Sequence, residues 1–251
     1  MKSSLITFAF LISLICCDSF TWLPNQNTVQ VGEPIKKKDG LVITKRKDGS
    51  LYSEVHYQNG VKHGLSKSYY KDGNLQFEIE YENGKKNGAS KLHYANGKVR
   101  RKTTYKNGIK NGPKISYFEN GNISSSITYK EDLPSSDLKE YLKSGKELSS
   151  YPELKYKVVD RLNTTGEYLV KFYFTKDNKR ADFYMGELVE GKYFNEYSLS
   201  KLPEYKYEGV LSWKPYIGEF IMKKIPIVGR VKTKRGNYLY RKLTFNLAIE
   251  G

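Results

Sequence analysis

Cysteine, histidine, methionine and tryptophan are scarce here: 251 residues hold 2 Cys, 3 His, 3 Met and 2 Trp. Both cysteines, Cys16 and Cys17, close the first apolar run, and none follows. A disulfide framework is therefore excluded. Metal sites need clustered His, Cys or carboxylate ligands, and no such cluster is apparent around His56, His63 or His93. His63 and His93 occupy positions taken by Asn or Tyr in neighbouring repeats, which points to turn and surface roles. The chain has no Gly-rich phosphate loop, no G-x-S-x-G elbow and no H-E-x-x-H. The first apolar run is too short for a spanning helix, which needs about 20 residues. Helical signals are also missing, apart from a turn or two expected over residues 136–148 with Ser135 or Ser136 as N-cap. No catalytic group, metal or cofactor is assigned, and the chain is expected not to be an enzyme.

Tyrosine and glycine are abundant, with 22 Tyr and 21 Gly. Their spacing is periodic. Glycines recur every 24 residues at Gly40, Gly64, Gly88 and Gly112. A second register holds Asp48-Gly49, Asp72-Gly73, Asn96-Gly97 and Asn120-Gly121. A third holds Asn59-Gly60, Asn83-Gly84 and Asn107-Gly108, with Asp132 in the slot of Gly108 one period on. Tyr57, Tyr81, Tyr105 and Tyr129 keep the same step. A period of this size means a repeat architecture, in which each unit buries apolar surface only against its neighbours.

Each unit reads Gly, strand, Asx-Gly, strand ending in Tyr, Asn-Gly. Asx-Gly is a strong hairpin signal, because a type I′ turn needs positive φ at both central residues. The return strands alternate, with Leu75, Phe77, Ile79 and Tyr81 on one face and Gln76, Glu78 and Glu80 on the other. Glu78 and Glu80 are expected to face Arg100 and Lys102 of the next unit. Gly49, Gly60, Gly73, Gly84, Gly97, Gly108 and Gly121 are the expected turn residues. Unit one departs from the pattern at Arg46, where later units have Tyr70, Tyr94 and Phe118, as terminal repeats often do. A fifth half-unit is expected around Tyr141 and Gly145.

The run Tyr70-Lys71-Asp72-Gly73-Asn74-Leu75, followed by Tyr81-Glu82-Asn83-Gly84-Lys85-Lys86-Asn87-Gly88, resembles the bacterial variant of the MORN repeat. The resemblance spans residues 40–132 in several agreeing copies. It implies no catalytic residues. It implies either an association with membranes, lipids and scaffolding or an antitoxin-like role, since bacterial chains of this look often carry that label.

The N-terminus reads Met1-Lys2-Ser3-Ser4, then an apolar stretch from Leu5 to Ile15, then Cys16-Cys17. A charged start and a short apolar core describe a secretory signal. Leu14-Ile15-Cys16-Cys17 resembles a bacterial lipoprotein signal, with Cys17 as lipid acceptor and Cys16 as the alternative. A simple cleaved signal ending near Ser19 is the other reading. With lipidation, the protein is placed in a bacterial cell envelope, at the outer membrane or surface, and residues 17–39 form a tether.

The formal charge of +16 is uneven. Residues 40–132 carry 17 basic and 9 acidic side chains, residues 133–213 carry 13 of each, and residues 214–242 carry 9 and 1. Such a field attracts acidic lipid, anionic glycan or nucleic acid, and nucleic acid suits an exported chain least. Lys62, Lys86 and Lys110 share one slot 24 residues apart. Side by side they form a basic row that suits a polyanion; the other reading is that Lys keeps a turn soluble.

From Leu154 the period is gone. Strands are expected at 168–174, 182–189, 207–213, 218–222, 225–232 and 238–249, the first two as a hairpin turning at 176–179. Arg235-Gly236-Asn237 is expected to be the loop of the last hairpin. Such a run of short strands suggests a β-sandwich, and the last hairpin looks like the closing pair of an immunoglobulin-like module. The expected layout is a signal segment over 1–16, a tether over 17–39, four hairpin repeats over 40–132, a linker or degenerate repeat over 133–155 and a sandwich domain over 156–251. Two functions fit: an exported, non-enzymatic scaffold or adhesive surface for an envelope protein or anionic polymer, and an antitoxin-like neutraliser of a partner toxin.

Overall fold

The computed structural model describes residues 38–176 and 181–251. The signal segment, Cys17, most of the tether and the turn expected at 176–179 beyond Lys176 lie outside the described residues. Residues Lys37–Gly251 form a single compact unit.

The repeats build one antiparallel sheet of eleven strands. Its strands are β1 (Gly40–Lys45), β2 (Leu51–Gln58), β3 (Val61–Lys62), β4 (Gly64–Tyr69), β5 (Leu75–Glu82) and β6 (Lys85–His93). They continue as β7 (Val99–Lys106), β8 (Ile109–Tyr117), β9 (Ile123–Lys130), β10 (Leu133–Pro134) and β11 (Lys139–Glu140). β3 and β4 both pair with β2, β10 and β11 both pair with β9, and the rest pair in chain order. The hairpins therefore lie edge to edge in one layer. Few residues of this sheet are buried: Ser66, His93, Thr103, Ser125, Ile127 and Glu140 are among them. Leu41 and Ile43 on the outer strand are about half exposed.

The Asx-Gly turns are of two kinds, which corrects the expectation of type I′ throughout. At Asn59-Gly60, Asn83-Gly84 and Asn107-Gly108 both residues have positive φ, as type I′ requires. Glu131-Asp132 repeats that geometry without glycine. At Asp72-Gly73 only the glycine does, with φ 87°. There Gly73 N–H donates to Tyr70 O at 3.1 Å and Tyr70 N–H to Asn74 O at 2.7 Å. This is a three-residue loop whose glycine forms a bulge, with a register shift between Ser68 and Tyr69. The Asx side chain serves a different end from tolerating positive φ: Asp72 Oδ1 accepts the N–H of Asn74, two residues on, at 3.0 Å. Asp48, Asn96 and Asn120 do the same.

The helical turn expected over 136–148 is absent. β11 pairs with β9, and Gly145 closes the same loop one period after Gly121, donating to Leu142 O at 2.9 Å. The exposed hydrogen-bonding edge of β9 captures this segment as a fifth half-unit.

The C-terminal part is a sandwich of two four-stranded antiparallel sheets. One holds β12 (Leu154–Arg161), β13 (Glu167–Phe174), β16 (Glu204–Tyr205) and β17 (Glu208–Trp213), in the order β12-β13-β17-β16. The other holds β14 (Ala181–Met185), β15 (Ser200–Lys201), β18 (Phe220–Lys232) and β19 (Tyr238–Glu250), in the order β15-β14-β18-β19. Lettered along the chain, these orders read A-B-E-D and C′-C-F-G, the arrangement of an immunoglobulin-like sandwich. The expected hairpin of 168–174 with 182–189 is therefore wrong: β13 and β14 belong to opposite sheets. The strands expected at 218–222 and 225–232 are one continuous strand, which begins at Phe220 and runs to Lys232. Among the described residues one α-helical turn, α1 (Leu162–Thr165), is present, and it joins β12 to β13.

Glycines let the two sheets approach each other. A Cβ on Gly229 of β18 would stand 2.7 Å from the Phe174 ring, and one on Gly209 of β17 would stand 2.5 Å from Phe183. Each sheet thus lends a ring to a hole in the other. Phe174 and Phe183 lie 5.9 Å apart in a core with Val170, Phe172, Ile227 and Leu247. Ile127 and Leu138, from the last repeats, are buried in the same core.

Candidate functional site

The row of Lys62, Lys86 and Lys110 is present, and its side chains are engaged. Each ammonium lies 5.0 Å from a tyrosine ring centre, over Tyr81, Tyr105 and Tyr129 respectively. The repeat explains the contact. Gly64, Gly88 and Gly112 stand directly opposite those tyrosines, and with no side chain they leave the rings open to the lysines two residues earlier. Cation–π contact of this kind is worth about 0.5–1 kcal/mol at exposed sites. The backbone of the same lysines holds the array together: Lys62 O accepts from Gly84 N–H and Lys86 O from Gly108 N–H, both at 2.8 Å. Lys110 O accepts from Asp132 N–H at 2.9 Å, and its ammonium sits 3.7 Å from the Asp132 carboxylate. Lys62 and Lys86 have no carboxylate partner among the described residues. All seven predicted turn glycines have positive φ.

On the opposite face Glu78 meets Lys91 at 3.1 Å and His93 at 3.3 Å. Arg100 and Lys102 are not its partners, because Lys91 is the residue across the ladder. His93 is buried and also bonds Gly97 O at 3.0 Å, so its surface assignment is corrected. Burial alone pushes the Glu78 carboxyl up, but hydrogen bonds and charge from Lys91 and His93 outweigh it and hold the group below its ordinary value. One unit earlier, Tyr69 occupies the His93 slot and donates to Glu54 at 2.8 Å. Burial, then that bond and the charge of Glu54, push the Tyr69 hydroxyl up to about 12. These are structural pairs within the sheet.

A second basic feature was not legible as a site. Where β7 and β8 meet the β18–β19 loop, a cleft of about 590 Å³ is lined by Arg100, Arg101, Lys114, Lys143 and Arg235, with the Phe118 ring at its wall. No carboxylate of the described residues lines it. Arg235 is fixed from the sandwich side: its guanidinium lies 5.3 Å from the Phe118 ring centre and donates to the carbonyls of Tyr141 and Ser124. The nearby Glu140 carboxylate is committed elsewhere, accepting from Thr233 Oγ1 at 2.9 Å and Asn237 Nδ2 at 2.6 Å. Lys114 is held below its ordinary pKa by burial first, then by the charges of Arg101 and Lys110. The available signal was slot drift: Lys114 replaces Ser66 and Ser90, and Arg101 replaces Phe77.

With this geometry in view, the comparison with known families is specific to the array. Residues 62–83, 86–107 and 110–131 match the MORN repeat variant. No curated protein matches the chain. The matched segments each span a lysine of the row and the tyrosine beneath it. MORN-type repeats of this kind suggest a repeat-based binding or scaffolding protein. Among the described residues no group of His, Cys, Asp or Glu is placed to hold a metal. No described helix is long and apolar enough to cross a membrane.

Proposed function

We propose that this is a non-enzymatic exported protein of a bacterial cell envelope, anchored through a lipidated Cys17. In this reading its β-array offers a surface to an envelope protein or to an anionic glycan or lipid. The observation that carries the reading is the open single-layer sheet with Lys62, Lys86 and Lys110 in one row over tyrosine rings. Slots one period apart are separated by two strand spacings, roughly 10 Å, close to the Debye length at physiological salt. Neighbouring charges therefore partly reinforce each other along a polymer, whereas a small ligand spans only one. The apolar N-terminal run ending at Cys16-Cys17 supports export and anchoring.

The test is binding of the chain from residue 17 onward to anionic glycan and to vesicles with acidic headgroups, across a salt series. Binding that weakens with salt and falls further when Lys62, Lys86 and Lys110 are all changed to Gln supports the reading. Binding equal in the triple variant, or none at low salt, removes the row from the account.

A further inference from the structure

We infer that the cleft between β7, β8 and the β18–β19 loop is a binding site for a phosphate ester, separate from the lysine row. The first argument is positional. Three slots of the repeat carry a cation only where they border the sandwich. The slot of Lys114 holds Ser66, Ser90 and Leu138 elsewhere, and that of Arg101 holds Ser53, Phe77 and Ser125. The slot of Arg100 holds Tyr52, Gln76 and Ser124. The fold does not need these cations, since the other units build the same strands without them. Cations are concentrated where Arg235 arrives from the second sheet system.

The second argument is electrostatic. Arg100, Arg101, Lys114, Lys143 and Arg235 form no ion pair with a carboxylate among the described residues, whereas many other cations of the chain do. Like charges held together with no counter-charge oppose folding; Lys114 is held below its ordinary pKa by burial first, and then by the charges of Arg101 and of Lys110 from the row. Groups perturbed in this way in a cleft mark a candidate functional site. A ligand with several negative charges on compact oxygens relieves the repulsion; a single carboxylate neutralises one cation and leaves the others. Guanidinium forks pair two oxygens of a phosphate at once, and lysines add point charge. The volume of about 590 Å³ exceeds what inorganic phosphate fills, and Phe118 gives an apolar wall for the organic part of an ester.

The ester has two possible sources, a soluble metabolite or a lipid headgroup, and one experiment separates them. The chain from residue 17 onward is titrated with pyrophosphate at low salt. It is also titrated with vesicles of phosphatidylglycerol in phosphatidylcholine. The variants are Lys114→Ser and Arg101→Ser, which restore residues found in the equivalent slots, with Lys223→Gln, an exposed cation of β18 outside both sites, as control and thermal melting to confirm folding. The expected result is saturable binding of pyrophosphate, weakened at least tenfold by either cleft variant and unchanged in Lys223→Gln. Vesicle binding that pyrophosphate displaces and Lys114→Ser weakens identifies a headgroup. Pyrophosphate binding without vesicle binding identifies a soluble ester. Absence of saturable pyrophosphate binding, or equal affinity in folded Lys114→Ser and Arg101→Ser, overturns the site. Because the row variants and the cleft variants differ, either proposal can fail alone.

Discussion

The Tyr70 hydroxyl donates to the backbone carbonyl of His93 at 2.7 Å, tying one unit's loop to the next unit's strand. Tyr94 repeats the bond to Tyr117 O at 2.7 Å. In the first unit the Arg46 guanidinium reaches the carbonyls of Tyr69 and Tyr70 from the same slot. In the fourth unit the slot holds Phe118, which has no donor. There Arg235 lies on the ring and donates to Tyr141 O, the carbonyl that a tyrosine hydroxyl would have reached. The two exceptions to the repeat thus keep its bond by other means.

Tyr94→Phe removes the hydroxyl and keeps the ring. The expected cost is about 1 kcal/mol, the net worth of one such bond, and up to about 3 kcal/mol if the Tyr117 carbonyl stays buried without a partner. Urea unfolding followed by circular dichroism measures it. An unchanged midpoint removes the inter-unit tie from the stability account.

Gly73→Val should destabilise the array by about 1–3 kcal/mol through backbone strain alone. A Cβ there meets nothing within 4 Å, so the φ of 87° is the whole penalty. Gly73→Asn should cost less, since Asn tolerates the left-handed region. Equal losses for the two variants argue against that cause.

Gly229→Ala should destabilise for the opposite reason. Its φ is ordinary, but the new methyl would stand 2.7 Å from the buried Phe174 ring. Overpacking of this kind costs about 1–3 kcal/mol. Pairing it with Phe174→Leu should recover part of the loss in a double-mutant cycle; strict additivity would show that the ring is not the obstacle.

Glu78 makes acid stability testable. Its carboxyl is depressed in the folded chain, so the unfolded chain binds a proton first as pH falls. The contribution is present above the unfolded value of about 4.3 and is lost as pH drops through the lower folded value. Glu78→Gln should therefore flatten the stability profile as pH falls below about 5. A profile identical to wild type sets Glu78 aside.

Intact-mass analysis of the mature N-terminus addresses the anchor. An acyl-modified Cys17 is the expected product. An unmodified start at Ser19 or later excludes the lipid anchor while leaving export intact.

The sequence by itself determined the array, because its information is local and repeated. The 24-residue step places the long strands from β1 to β9, and the Asx-Gly pairs place every turn from Gly49 to Gly121. It also pointed to the half-unit at Gly145. The kind of turn was less legible: Asp72-Gly73 and Asn83-Gly84 share a dipeptide signature, and only the flanking hydrogen bonds separate a bulged loop from type I′. The fate of 136–148 was decided by the open edge of β9, an opportunity that no window of the segment reveals.

Only the tertiary structure decided the rest. Strands β13 and β14 are neighbours in sequence and look like a hairpin, yet they lie in opposite sheets. Sheet membership is set by long-range packing of Phe174 on Gly229 and Phe183 on Gly209, residues 55 and 26 apart in the chain. The basic cleft has the same origin. Lys114 and Arg235 are 121 residues apart, and no spacing rule links them. They share one cleft because the sandwich buries Ile127 and Leu138 of the last repeats in its own core, which brings the β18–β19 loop onto the array.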